Sequence, residues 1–332
     1  MREGTAMKLP RRQFLHLAAS AAALPAVSRI ARGQTYPARP VRFIVPFPPG
    51  GSADPIARVL SNRLSEIWGQ QVVIENKGGA GGNLGAQTAA TAAPDGYNIF
   101  LGGAFMAKNP FLYPGSGYDP VTDLAPVAKV CEFSNIMVVP NSSPVKSVRE
   151  FIDHANANRG KVTYGSSGIG ADPHMSTELF RKLTGIEMTH VPYRGGGPAL
   201  NDVIPGRIDV YFGTLPSTLP LARNGQVRAL AVTSAKRSEF APELPTIAES
   251  GVPGYEYSSW YGMYVPVKTP ADIIRKLNDD IVAALAYQQL KQRLADIATS
   301  VTPSTPAELA ALLKSDMELW GPIIKASNIK GE

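Results

Sequence analysis

The chain has 332 residues, with 33 basic against 27 acidic side chains and a net charge of +6, a balance that on its face suits a nucleic-acid or acidic membrane partner. The excess is confined to residues 1–33, which hold six bases and one acid; residues 34–332 carry only +1, and that partner class loses its support. A single cysteine, Cys131, rules out an internal disulfide framework, and the length after residue 33 is enough for two domains.

Arg11 and Arg12 in PRRQFLH precede an alanine-rich apolar stretch at 14–27, and Ala31-Arg32-Gly33 offers small residues at the spacing a signal peptidase reads. The pattern is that of a twin-arginine signal peptide over 1–33, with Gln34 as the expected mature N-terminus. The apolar run is 14 residues long, short of the roughly 20 that span a bilayer. No cysteine stands at the cleavage site, so a freely diffusing monomer in the periplasm is expected. Met7, opening MKLPRRQF, is an alternative start to Met1.

From residue 41, VRFIVPFPPGGSAD runs from a β-branched strand into a Pro-Pro-Gly-Gly turn and then a helix. Gly50 and Gly51 let the backbone turn, and Asp54 reads as an N-cap with Pro55 at the first helical position. The helix start offers free amides and a positive dipole end to a small anion. Further on, short apolar runs near 43–47, 71–75 and 98–101, and again near 162–166, 188–193 and 209–212, each enter a Gly- or Pro-rich turn. Helical periodicity falls between them at 53–67, 83–92, 148–158, 173–183 and 198–204, and consecutive helices are expected from 271 to about 325. Alternation of this kind predicts α/β architecture with largely parallel sheets. The repeated grammar, with Ala-Asp-Pro at 53–55 and 171–173, predicts two similar domains facing a cleft, as in a type II periplasmic binding fold. The extended segments 125–140 and 255–268 read as the crossings, giving domain 1 as 34–128 plus 253–332 and domain 2 as 129–252.

Four more loops are rich in free amides: 78–83, 102–104, 164–168 and 193–197. Within the last, Arg194 is a guanidinium suited to a carboxylate, though equally a solvated charge. No Gly-x-Gly-x-x-Gly follows a strand and no phosphate-binding Gly-Lys-Ser/Thr loop occurs, so no nucleotide cofactor is expected. His154, His174 and His190 show no metal-ligand spacing with one another or with Cys131, and no metal is expected either. Ser167 with His174 and Asp172 admits an exported hydrolase as the alternative function. The nucleophile-elbow pattern around Ser167 is broken by Ile169, and no catalytic residue is assigned. Trp260 and Tyr261, in the second crossing, read as hinge or core aromatics.

These segments, with VVIENKGGAGGNLGA, VTYGSSGIGADPHMSTELF, THVPYRGGGPALNDVIPGRIDVYF and YVPVKTP in order, resemble the Bug-type (Bordetella uptake gene) receptors of tripartite tricarboxylate transporters. The resemblance covers nearly all of the chain after the signal. It implies a receptor, not an enzyme, that closes on a small carboxylated solute and delivers it to a membrane permease. In that family loop amides and hydroxyls hold the ligand carboxylate. The matching positions are Pro48, Gly50, Gly51, Ser52 and Asp54; Ala80, Gly81 and Gly82; Ala104; Ser166, Ser167 and Gly168; and Tyr193, Arg194, Gly195 and Gly196. Asp172 departs from the small polar residue common before Pro-His. An acid there would repel a second carboxylate or welcome an ammonium group, so the expected partner is a small organic acid or an amino acid. A sensing domain of a regulator is disfavoured, because the export signal fills the place of a DNA-binding helix-turn-helix, and no nucleic acid is expected.

Overall fold

The computed structural model describes residues 36–327 and 329–331. The expected export signal and Gln34 lie outside the described residues. Strand β1 (Val41–Val45) is buried on both faces, as a central parallel strand must be when helices cover both sides of the sheet. It pairs in parallel with β2 (Val72–Asn76) and β3 (Asn98–Gly103), with Phe43 opposite Ile74 and Ile99. Helix α1 (Ala53–Trp68) returns the chain over this sheet, burying Ile56, Leu60 and Leu64 at helical spacing, and it ends at Gly69, whose left-handed conformation stops it. After β2 a single 3-10 turn (Ala80–Gly82) leads into α2 (Asn83–Ala90). Helix α3 (Phe105–Leu112) follows β3.

The long strand β4 (Leu124–Pro140) carries the chain from this sheet into a second one, and β9 (Ser258–Pro266) brings it back into the first. Strand β4 pairs antiparallel with β9 from Leu124 to Ser134, and then with β7 (Val210–Thr214) and β8 (Val227–Val232) from Asn135 onward. After β4, helix α4 (Val148–Ala157) leads to β5 (Thr163–Ser166), α5 (Asp172–Thr184), β6 (Thr189–Pro192) and α6 (Gly196–Val203). The first sheet therefore runs β2-β1-β3-β9-β4, and the second continues β4-β7-β5-β6 with β8 on the other side of β4. In both, the chain order reverses beside the first parallel strand, the switch point at which open α/β sheets bind ligands.

Each lobe has its own core. Ile44, Phe100, Leu124, Tyr264, Leu309 and Leu313 pack in the first. Phe151, Phe180, Phe212 and Tyr164 fill one face of the second sheet, and Ile136, Leu200, Val203 and Leu219 fill the other. The C-terminal helices α8 (Ala271–Ala286), α9 (Gln288–Asp296) and α10 (Pro306–Ser327) follow β9, and α10 sends Leu309 into the first core and Trp320 into the second.

Some expectations need correction. The C-terminal stretch is not helix throughout, because β10 (Ser300–Val301) breaks it to pair with β4. Helices occur at 105–112 and, as α7 (Leu215–Arg223), at 215–223, where prolines disguise them. Pro216 takes a first-turn position that needs no amide donor, whereas Pro110 and Pro220 lie further inside their short helices. Helix α1 begins at Ala53, so Ser52 is its N-cap residue and Asp54 lies in the first turn.

Candidate functional site

The loops after β1 and β2 meet those after β5 and β6. A Cβ on Gly81 would stand 2.3 Å from the Ile169 carbonyl oxygen, and one on Gly195 would stand 2.6 Å from the Pro48 ring. Both glycines have positive φ, +60° and +131°, so each close approach also uses backbone that other residues rarely adopt. A Cβ on Gly50 would stand 3.2 Å from the Gly197 Cα, a looser approach across the same seam. The Tyr113 hydroxyl donates to the Ile169 carbonyl across the same seam at 3.0 Å. The two lobes are thus in contact beside the site.

Two spaces lie between them. The outer is a cavity of about 300 Å³, lined by the loop 79–82, by Tyr113, and by Gly168, Ile169, Pro192, Tyr193 and Arg194. The inner is a chamber of about 20 Å³, walled by Gly51–Ala53, Ala171–Pro173, Gly196, Tyr211, Thr214 and Tyr261. Phe47 and Ser167 line both.

The inner chamber is where helix starts converge. Residues at the N-termini of α1, α5 and α6 and the Thr214 cap of α7 form its wall, and none of these helices has a side-chain cap. Unpaired first-turn amides and four positive dipole ends facing so small a space favour an anion over water. Hydroxyls complete it: Ser52 Oγ and the Tyr261 hydroxyl are 3.0 Å apart, and the Tyr211 hydroxyl would lie 3.2 Å from a Cβ on Gly196. Burial raises the pKa of both tyrosines, which keeps them neutral donors at ordinary pH.

Asp172 borders the chamber, but its carboxylate is already engaged. Lys108 Nζ, only 1% exposed, lies 3.0 Å from Oδ1; the Tyr257 hydroxyl donates to Oδ1 at 2.8 Å and Ser259 Oγ to Oδ2 at 2.7 Å. Lys108 also contacts the Tyr257 hydroxyl and sits over the Trp320 ring. One ion pair thus ties α3 of the first lobe to α5 of the second beside crossing strand β9. The neutralised carboxylate offers an ammonium group no spare charge.

The other candidate residues divide by position. Gly51, Ser52, Asp172 and Gly196 border the inner chamber; Ala80, Gly81, Gly82, Gly168, Tyr193 and Arg194 border the outer cavity; Ser167 borders both. Pro48, Gly50 and Gly195 form contacts between the lobes. Asp54 lines neither space: it binds Arg58 at 2.7 Å and Asn76 at 3.0 Å, so it braces the loop after β1. Ala104 is buried as the residue before α3 and packs in the first core. Ser166 is fully buried and pairs with His190 Nε2 at 2.7 Å. Of the residues unassigned in the sequence, Phe47, Tyr113, Tyr211, Thr214 and Tyr261 line the spaces. Tyr261 is the one with a legible signal, because it lies on a crossing strand, which must pass the base of a cleft between two lobes.

The alternative serine–histidine pairing does not form. His174 accepts the Gly170 amide at Nδ1, stacks on His190 with ring centres 4.2 Å apart, and has no bond to Ser167. Burial drives the His174 pKa well below its usual value and pushes that of His190 down to about 4, so both rings are neutral struts behind the loop 166–170. Among the described residues no three His, Cys, Asp or Glu side chains could hold a metal ion, and no helix is long and apolar enough to cross a membrane. Burial pushes the Cys131 thiol up to about 12, which leaves it inert.

Two α/β lobes joined by crossing strands, with helix starts turned onto the space between them, define a type II periplasmic binding fold. Residues 56–329 match the tripartite tricarboxylate transporter family receptor, and the chain belongs to that family of solute receptors. It is 35% identical over 298 residues to Protein BugT of Bordetella pertussis, an alignment spanning 89% of this chain and 91% of that protein. Among solved structures it is similar to R. palustris Rpa4515 with adipate, at 38% identity and a TM-score of 0.86, covering 89% of this chain and 99% of the other. It is also similar to MatC (Rpa3494) from Rhodopseudomonas palustris with bound malate, at 31% identity and a TM-score of 0.83, covering 87% and 100%.

Proposed function

We propose that this receptor captures a small organic acid by seating one carboxylate in the inner chamber and delivers it to the permease of a tripartite tricarboxylate transporter. The observation that carries this reading is the convergence of four uncapped helix starts on a buried chamber of about 20 Å³. Dicarboxylates in Rpa4515 and MatC support it. The remainder of the solute occupies the outer cavity under Arg194, which is exposed. Because Lys108 neutralises Asp172, we favour an acid without an ammonium group over an amino acid.

We place domain 1 at 34–128 plus 253–332 and domain 2 at 129–252; the change of β4 pairing between Ser134 and Asn135 supports a boundary inside that strand. We also assign the first 33 residues to twin-arginine export and the working form to a monomer in the periplasm. Replacing Arg11 and Arg12 by lysine should hold the folded chain in the cytoplasm, and undiminished periplasmic yield would count against the route.

Native mass spectrometry of the purified protein identifies any solute carried over. Thermal melts of ligand-free protein across a panel of acids then test the class. A bound acid at about 100 times its dissociation constant should stabilise the fold by about 2.7 kcal/mol without being consumed. A panel with no shift would sink the reading, and turnover lost on changing Ser167 or His174 would replace it with a hydrolase.

A further inference from the structure

Phe47 and Ser167 are shared by both spaces and so form the neck between them. The phenyl wall of this neck is held from several sides. Its ring packs edge-on against Phe105, with centres 5.5 Å apart, and Phe105 in turn lies where a Cβ on Gly82 would come within 2.8 Å. The Phe47 carbonyl accepts Asn76 Nδ2 at 2.9 Å, and the following Pro48 ring abuts Gly78. The facing wall is held too: the Gly168 amide donates to Ser166 Oγ, which His190 fixes from behind. Neither wall can retreat without disturbing a packed neighbour. Ser167 itself bonds to no described side chain, which leaves its hydroxyl available to a ligand oxygen.

We propose that Phe47 acts as the selector while Ser167 donates to the bound acid, and that the solute is an acid whose carbon next to the seated carboxylate is an unbranched methylene, with a second anionic group reaching the outer cavity. The inference rests on the carboxylate reading of the inner chamber. A chamber of about 20 Å³ has no room for the solute's carbon chain, so the carbon next to the seated carboxylate lies in the neck, beside Phe47. Methyl branches or an aromatic ring at that carbon would collide with Phe47. A pre-shaped wall discriminates by exclusion, which is stronger than the loss of a single favourable contact.

The test is calorimetry on ligand-free protein with succinate, glutarate and adipate, and with the analogue of the tightest of them that carries two methyl groups on each carbon next to a carboxylate. The parent should prefer the straight acid by more than about 10-fold. Phe47→Ala should bring the two within about 3-fold by admitting the branched acid, and Phe47→Leu, which keeps more of the packing, should fall between. Ser167→Ala should weaken the straight acid and leave the preference. If the parent binds both acids alike, or if folded Phe47→Ala and Phe47→Leu both keep the full preference, the neck is not the selector, although the carboxylate site stands. If no acid of any kind binds, the carboxylate reading fails and takes the selector with it.

Discussion

The inner chamber and the outer cavity are adjacent but built differently. The chamber is bounded by helix starts and buried hydroxyls, whereas the cavity is more than ten times larger and is bordered by the long side chain of Arg194 and by loop glycines. Charge in the chamber comes from the backbone, which substitution of side chains cannot remove; charge in the cavity comes from one exposed guanidinium. The difference separates two tasks: the chamber recognises what all ligands of the class share, and the neck and cavity distinguish one ligand from another. Lys108 and Asp172 belong to the first task, because they hold α5 with its amides toward the chamber.

The largest effect is expected at that ion pair. Lys108→Met leaves the Asp172 carboxylate buried without its cation and should destabilise the fold by about 3–5 kcal/mol, measured by urea unfolding. Replacing both by apolar residues should cost less than Lys108→Met alone, since no lone charge remains. A loss well under 1 kcal/mol for Lys108→Met would mean that water reaches the carboxylate, and that the chamber wall is looser than described.

Next come the loop glycines. Gly81→Val combines a positive φ with a clash against Ile169 and should lower affinity more than about 100-fold in a protein that still folds. Gly195→Val should act likewise through Pro48, whereas Gly196→Val should be milder, because Gly196 has no positive φ and a Cβ there meets the Tyr211 hydroxyl at 3.2 Å. Arg194→Ala should cost roughly 1.5–3 kcal/mol, or about 10- to 100-fold, if it supplies a charge-assisted bond to the ligand. Calorimetry that ranks Arg194→Ala above Gly81→Val would reverse the comparison between amides and guanidinium.

The smallest effect concerns acid. His190 titrates near 4 when folded, against an ordinary 6.5, because burial disfavours its charged form. Below about pH 6.5 the unfolded chain therefore takes up a proton that the folded chain refuses, and stability falls as pH drops from 6.5 toward 4. Glu75, held down to about 2 by Arg42 and Lys77, contributes stability above its ordinary 4.5 that is lost only as pH falls on toward 2. His190→Gln should make the fall of melting temperature in the upper window shallower without abolishing it, because buried His174 contributes there too, and an unchanged slope would remove His190 as a cause.

Much of this design was legible in the sequence, for physical reasons that also mark where legibility ended. Strands such as 43–47 and turns such as Gly50-Gly51 carry local signals, and β4 stood out because seventeen extended residues have few turn residues among them. Helix α3 was hidden because Pro110 speaks against a helix while tertiary packing of Met106 and Ala107 overrides it. The amide-bearing loops could be named, but the contacts between Gly81 and Ile169, or Pro48 and Gly195, join residues far apart in the chain. Asp172 could be seen as an acid near the site, yet its meaning depends on Lys108, 64 residues away, and no spacing rule connects them. Phe47 was likewise visible only as part of a strand end, since its role comes from facing Ser167.

A crystal structure of the protein with its solute tests the amide-lined chamber most directly. One carboxylate is expected in the inner chamber, its oxygens about 2.7–3.2 Å from first-turn amides of the helices that converge there, with Asp172 still paired to Lys108. A carboxylate bound to Arg194 in the outer cavity, with the inner chamber holding only water, would contradict it.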